Sequence, residues 1–215
     1  MLLASAILLA SGVTCAFAGD VTFGTEGKKK TPLVWSEHGQ GIWHVMKDGT
    51  LTGARDVVTA GPKKKWMPVE KDFRDWVNRQ AWIFTKQDFG DCDLEFEYWL
   101  RSGGNSGVGL WDISRGAGGI GENPDYRKTT SKVAYEIQMI NEYPDPKPPG
   151  SIYGVQDAVK GVQVDNEWNR MKVEARADRI RVFLNGKLVA EHETLPDRPK
   201  KGPIGLQLHD QFDAF

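Results

Sequence analysis

The sequence predicts an all-β domain, a β-sandwich whose curved sheets make a concave face in the manner of a jelly roll, with a closed barrel as the alternative. Three observations carry this. No long segment repeats its apolar residues with a helical period, alternating runs bounded by Gly, Pro, Asn and Asp recur along the chain, and alternation is the mark of a half-buried strand. Two of these runs also gather polar residues on one face. In Tyr135-Glu136-Ile137-Gln138-Met139-Ile140, Ile137 and Met139 point into a core while Glu136 and Gln138 share the other face, roughly 7 Å apart. In Ile204-Gly205-Leu206-Gln207-Leu208-His209, apolar residues alternate with Gly205, Gln207 and His209, which adds a titratable imidazole.

The remaining elements follow in order. Residues 42–45, 50–52 and 81–85 read as short strands, with a Lys- and Pro-bearing loop containing Trp66 and Trp76 before the third. Residues 93–101 form the clearest strand, with Leu94, Phe96, Tyr98 and Leu100 on one face and Glu95, Glu97, Trp99 and Arg101 on the other. In 107–111, Val108 and Leu110 are expected to be buried, leaving Asn105, Gly107, Gly109 and Trp111 opposite, where bare backbone beside an indole suits a flat ligand. Strands at 171–175 and 179–184 follow, and Asn185-Gly186 is the dipeptide of a type I′ hairpin turn. The Gly- and Pro-rich segments 116–132 and 141–150 are expected to be rims or lids.

Composition sets the class. The chain has 215 residues, 40% hydrophobic and 27% charged, enough for one sizeable globular domain. A net charge of -1 gives no reason to expect nucleic acid as a partner. The basic triplets Lys28 to Lys30 and Lys63 to Lys65 sit beside Pro or Gly and read as solvated loops. Residues 1–18 are uncharged and end in Ala16-Phe17-Ala18, which reads as a secretory signal peptide cut after Ala18. The apolar run is short for a bilayer span, so no membrane span is expected after cleavage. Removal would take Cys15 and leave Cys92 alone as a packing residue, consistent with a bacterial periplasmic or secreted protein. The single domain is then expected over 19–215.

The catalytic patterns tested are mostly absent. A strand E-x-D-x-E or E-x-D-x-x-E pair, the build of retaining β-glucanases, fails because Gln138 stands where Asp is needed and Ile140 and Asn141 where the acid is needed. H-E-x-x-H, paired C-x-x-C, P-loop and G-x-S-x-G patterns are also missing. Trp168 is expected to pack at a strand entry, Tyr153 to be core or rim, and His38 and His44 to be incidental surface.

An ordered series of strings over about 42–209 resembles a known family. Asp88-Phe89-Gly90-Asp91-Cys92-Asp93-Leu94-Glu95-Phe96-Glu97, Gly103-Gly104-Asn105-Ser106-Gly107-Val108, Tyr135-Glu136-Ile137-Gln138, Gly150-Ser151-Ile152-Tyr153-Gly154, Glu167-Trp168-Asn169, Arg179 to Gly186 and Gly202 to His209 look like successive motifs of the 3-keto-disaccharide hydrolase domain, the 3-keto-glucoside lyase and hydratase group. The resemblance implies a concanavalin A-like jelly roll, a saccharide or glycoside carrying a ketone at C3 supplied by a separate sugar 3-dehydrogenase, and cleavage by elimination followed by hydration. Such a site needs a base and an enolate stabiliser. Strand alternation and the motif match together assign Glu136 or His209 as base, Asn105, Gln138 and Gln207 as hydrogen-bond donors, Trp111 as a stacking platform and Tyr153 as a substrate contact. A divalent metal held by Glu136, His209 and a loop carboxylate would also stabilise an enolate. Two departures stand out: Trp111-Asp112 replaces the Arg of many relatives, and the chain stops at Asp213-Ala214-Phe215 where the family continues into a strand of the form V-x-F-R-N-I, so a final strand is expected to be missing. A non-catalytic glycan-binding module is the competing class, because the same sandwich hosts lectins.

Overall fold

The computed structural model describes residues 8–9, 20–26, 31–55, 80–120, 124–141 and 145–209. The expected signal peptide, apart from Leu8–Leu9, and the expected missing final strand lie outside them, as do Trp66, Trp76 and the two lysine triplets. The described strands are β1 (Leu8–Leu9), β2 (Asp20–Glu26), β3 (Thr31–His38), β4 (Ile42–Val45), β5 (Thr50–Ala54), β6 (Ala81–Thr85), β7 (Cys92–Tyr98), β8 (Gly104–Leu110), β9 (Tyr135–Asn141), β10 (Asn169–Ala175), β11 (Arg179–Leu184), β12 (Lys187–Glu193) and β13 (Ile204–Leu208). A 3-10 turn, Tyr126–Lys128, and a short helix, Thr130–Val133, precede β9. Among the described residues no helix is long and apolar enough to cross a membrane.

The chain is an antiparallel β-sandwich of the jelly-roll kind. A six-stranded sheet in the order β2-β3-β6-β13-β8-β9 faces a four-stranded sheet in the order β12-β11-β10-β7, and β1-β5-β4 forms a small third sheet. Alternation explains the four-stranded sheet. Leu94, Phe96, Met171, Val173, Ile180 and Val182 turn to the core, while Glu95, Lys172, Glu174 and Arg181 on alternate positions form ion pairs outside. Asn185 and Gly186 have φ of 49° and 80°, the pair of left-handed residues that a type I′ turn demands. Facing this sheet, Ile83, Leu206, Val108 and Ile137 stand in one rung of the six-stranded sheet, all essentially inaccessible to solvent. Cys92 packs against the core, and burial pushes its thiol up to about 11, as expected of a packing residue. Trp168 departs from expectation: it is 44% exposed.

Four strands of the six-stranded sheet are buried on both faces: every residue of β6, β8, β9 and β13 is buried. Over the second face packs the loop that starts at Asp112, with Gly116 against Trp82 and Thr130 against Gly109, while the segment around Ser151 to Tyr153 lies along the outer edge of β9. Asp112 anchors the first: its carboxylate accepts from Ser114 N (2.9 Å), Ser114 Oγ (2.6 Å), Gly116 N (2.9 Å) and Thr130 Oγ1 (2.6 Å). The second is tied to β9 by Gln138 N to Ser151 O (2.9 Å), Gly150 N to Gln138 O (2.8 Å) and Tyr153 N to Glu136 O (2.8 Å). Within the loop expected at 116–132, Gly116 and Thr130 pack over the sheet; in the loop expected at 141–150, Gly150 pairs with the edge of β9.

Trp111 corrects the expected strand 107–111. The strand ends at Leu110, and Trp111 has a φ of 63°. That left-handed step breaks the alternation and sends the indole into the core. There it is inaccessible, meets Tyr135 edge-on at 5.9 Å between centroids and donates its N–H to Gly90 O at 3.2 Å. It presents no face to a ligand.

Close packing on the concave face yields a stability test. A Cβ at Gly205 would lie 2.2 Å from the Phe84 ring, whereas one at Gly90 would meet nothing within 4 Å. Gly205→Ala is expected to lower unfolding free energy by about 1–3 kcal/mol, and Gly90→Ala to stay within about 0.5 kcal/mol of the parent, as read by denaturant unfolding.

Candidate active site

Cross-strand register lays the concave face out as rungs. One runs Ser36, Phe84, Gly205, Gly109, Glu136; the next begins His38, Trp82, Gln207, with Gly107 opposite Gln138 on the β8–β9 side. Directly paired residues share a face, so β9 brings Glu136 and Gln138 to the side of the sheet where β6 brings Trp82 and Phe84. These two rings stack at 5.1 Å between centroids and 22° between planes. His38 meets Phe84 edge-on at 5.8 Å, and its imidazole is held below the usual value by burial first and Arg115 second, so it belongs to this face rather than to incidental surface. His44 is exposed.

The glycines have two different uses here. Above Gly109 and Gly205 the space is taken by the protein itself: a Cβ at Gly109 would lie 3.0 Å from Trp82 and 3.1 Å from Thr130, and one at Gly205 would strike Phe84. The bare backbone expected to floor a ligand is covered at those two positions. At Gly107 the missing Cβ makes room for functional groups instead, since it would lie 3.1 Å from Glu136 Oε1 and 3.3 Å from Gln207 Oε1. Glu136 and Gln207, on strands either side of β8, therefore meet over a single glycine.

Glu136 is the centre of the site. It is 5% exposed, and its carboxyl is pushed up to about 7, by burial above all, with Asp145 and Asp112 adding to the rise. His209 and the Gln207 carboxamide oppose the shift by favouring the ionised form. Gln207 leans on the carboxylate, yet neither its Nε2 nor its Oε1 completes a hydrogen bond, and Gln138 Oε1 is likewise buried with no partner. Each such orphan costs about 1–3 kcal/mol, and buried orphans in a native fold call for a functional or hydration partner. His209 follows β13, half-buried, and its carbonyl accepts from the Arg55 guanidinium.

The structure thus gathers Glu136, Gln138, Gln207, His209 and Tyr153. The half-buried Tyr153 hydroxyl donates to Asp145 Oδ2 at 3.3 Å, and its phenol is pushed up to about 12 by burial first, then by Asp145 and Glu136. Asn105 is buried further along the same face, opposite Ile140. Trp111 lies in the core on the other side. Among the described residues no three or more His, Cys, Asp or Glu side chains converge as a metal cage. Sequence reasoning missed Asp112, Asp145 and the Trp82–Phe84 stack. Alternation in 81–85 could have placed Trp82 and Phe84 together; no periodicity places a loop residue such as Asp145.

The chain is similar to several known proteins. Among solved structures, a protein from Parabacteroides distasonis assigned as a glycosyl hydrolase is 24% identical, with 60% of this chain and 78% of that one covered and a TM-score of 0.48. The carbohydrate binding module CBM66 from Bacillus subtilis is 14% identical, covering 82% and 88%, with a TM-score of 0.46. LamAcat from Zobellia galactanivorans is 14% identical, covering 87% of this chain and 68% of that one, with a TM-score of 0.39. No curated protein matches the chain. The family model of the 3-keto-alpha-glucoside-1,2-lyase-like domain matches residues 24–215, and the chain belongs to that family.

Proposed function

We propose that this protein cleaves the glycosidic bond of a 3-keto-glycoside by elimination, with Glu136 as the base. The observation that carries the reading is a buried carboxylate with a pKa of about 7, beside the Gln207 carboxamide and a Gln138 Oε1 that is buried with no hydrogen-bond partner. A ketone at C3 acidifies the C2 proton, so one base suffices and no oxocarbenium ion need form. A carboxylate titrating near neutral pH is half available and as strong a base as that pH allows. Proton transfer from C2 to Glu136 leaves an enolate oxygen at C3, for which the Gln207 Nε2 donor and the His209 imidazole are the nearby stabilisers. Collapse of the enolate breaks the C1–O bond, and water adds to the resulting enone. The missing second carboxylate of a β-glucanase is then no defect. The reading extends to an exported protein fed by a sugar 3-dehydrogenase, which the uncharged N-terminal run and the need for a ketone support.

The direct test is product formation from a 3-keto-glucoside and its unoxidised parent, followed by mass spectrometry. Cleavage of the ketone alone is expected; saccharide binding without consumption of either would identify a binding module instead. Glu136→Gln is expected to lower kcat by at least about 100-fold, and the parent's kcat/KM to rise with pH through about 7 and then level, as the carboxyl ionises.

The same shift has a stability consequence. Because the folded carboxyl titrates above its ordinary value of 4.5, folding favours the protonated form; that contribution is full below about 4.5 and is lost as pH rises through about 7. Glu136→Gln removes the penalty of burying a charge. Its denaturation midpoint is expected to exceed the parent's at pH 8 and to match it at pH 4, and a variant less stable than the parent at pH 8 would count against a strained carboxylate.

A further inference from the structure

Elimination leaves one need unmet on the face of β9: a proton for the departing oxygen. A sugar or alkyl alkoxide is a stronger base than a phenolate, so its expulsion is slow unless a donor stands beside the C1 oxygen. The segment that follows Asp145 supplies a candidate. Tyr153 is hooked to the base itself, its backbone N–H donating to the Glu136 carbonyl at 2.8 Å, and Gly150 and Gly154 around it take φ of 87° and 70° that shape the turn. Its hydroxyl is oriented by Asp145 at 3.3 Å, and Asp145 is itself fixed by Lys147 N at 2.7 Å.

We propose that Tyr153 is the general acid for the leaving group and Asp145 its positioning residue, so that the aglycone lies against the segment from Asp145 to Gly154. This rests on the reading of Glu136 as the C2 base. Glu136 takes the C2 proton, the C2–H electron pair passes into the enolate, the C1–O bond breaks with its pair on the leaving oxygen, and the Tyr153 O–H, which donates to Asp145 in the free protein, turns to that oxygen and gives it the proton. Water then reprotonates Tyr153 and receives the proton held by Glu136, which restores both groups. A phenol pushed up to about 12 stays protonated at neutral pH and is still acidic enough to give its proton to an alkoxide.

The experiment compares two 3-keto-glucosides that share the sugar and differ in aglycone, one releasing 4-nitrophenol, a good leaving group needing no proton, the other methanol. Tyr153→Phe is expected to lower kcat/KM at least about 100-fold for the methyl compound and less than about 10-fold for the nitrophenyl compound. Asp145→Asn is expected to show the same selectivity to a smaller degree, and carries the test if Tyr153→Phe does not fold. Equal losses on both compounds, or no loss on the methyl compound, would overturn the assignment. Failure of the Glu136 reading looks different: the parent protein would cleave neither ketone.

Discussion

Everything at the site depends on one unfavourable burial, that of the Glu136 carboxylate. A strand residue on the solvent side of a sheet would titrate as an ordinary acid. Here the side chain is buried instead, and desolvation lifts the carboxyl to about 7. The proposed base is made by burial rather than by a special neighbour. His209 and Gln207 temper the shift and keep the ionised form accessible, which a base needs in order to accept a proton near neutral pH.

The surrounding architecture can be read as the means of sustaining that burial. The inner face of the six-stranded sheet is fully apolar at Ile83, Leu206, Val108 and Ile137, so the sandwich core does not depend on the polar residues behind it. Asp112, with four hydrogen bonds accepted, fixes the cover over Trp82, and a fully satisfied buried carboxylate rigidifies where an unsatisfied one would strain. The unspent atoms on Gln138 and Gln207 are then localised beside Glu136. Under the proposed reading, stability is conceded at the reacting centre, a common trade in enzymes.

Much of this was legible in the sequence because period two is a geometric fact. Alternation placed Ile137 and Met139 inward and Glu136 and Gln138 together, and it placed Gln207 among buried leucines; the hairpin at Asn185-Gly186 followed from the two left-handed positions that type I′ requires. Periodicity failed where the backbone leaves it. Trp111 continues the alternating string, but its φ of 63° reverses the side chain, and nothing in the letters marks the reversal. Strand β3 went unread because Pro32 interrupts its start and charged residues end it. That β9 is buried on both faces depends on loops packing over it, a tertiary fact no local pattern contains. The role of Asp145 depends on the same packing.

The central claim is that Glu136 removes the proton from C2. The most direct measurement is the rate of cleavage of a 3-keto-glucoside carrying deuterium at C2 against its protium form, with the C2 hydrogen followed by NMR in the parent and in Glu136→Gln. The account predicts slower cleavage of the deuterated substrate by the parent and loss of C2 exchange in the variant. Cleavage at equal rates, with exchange unchanged in Glu136→Gln, would contradict it.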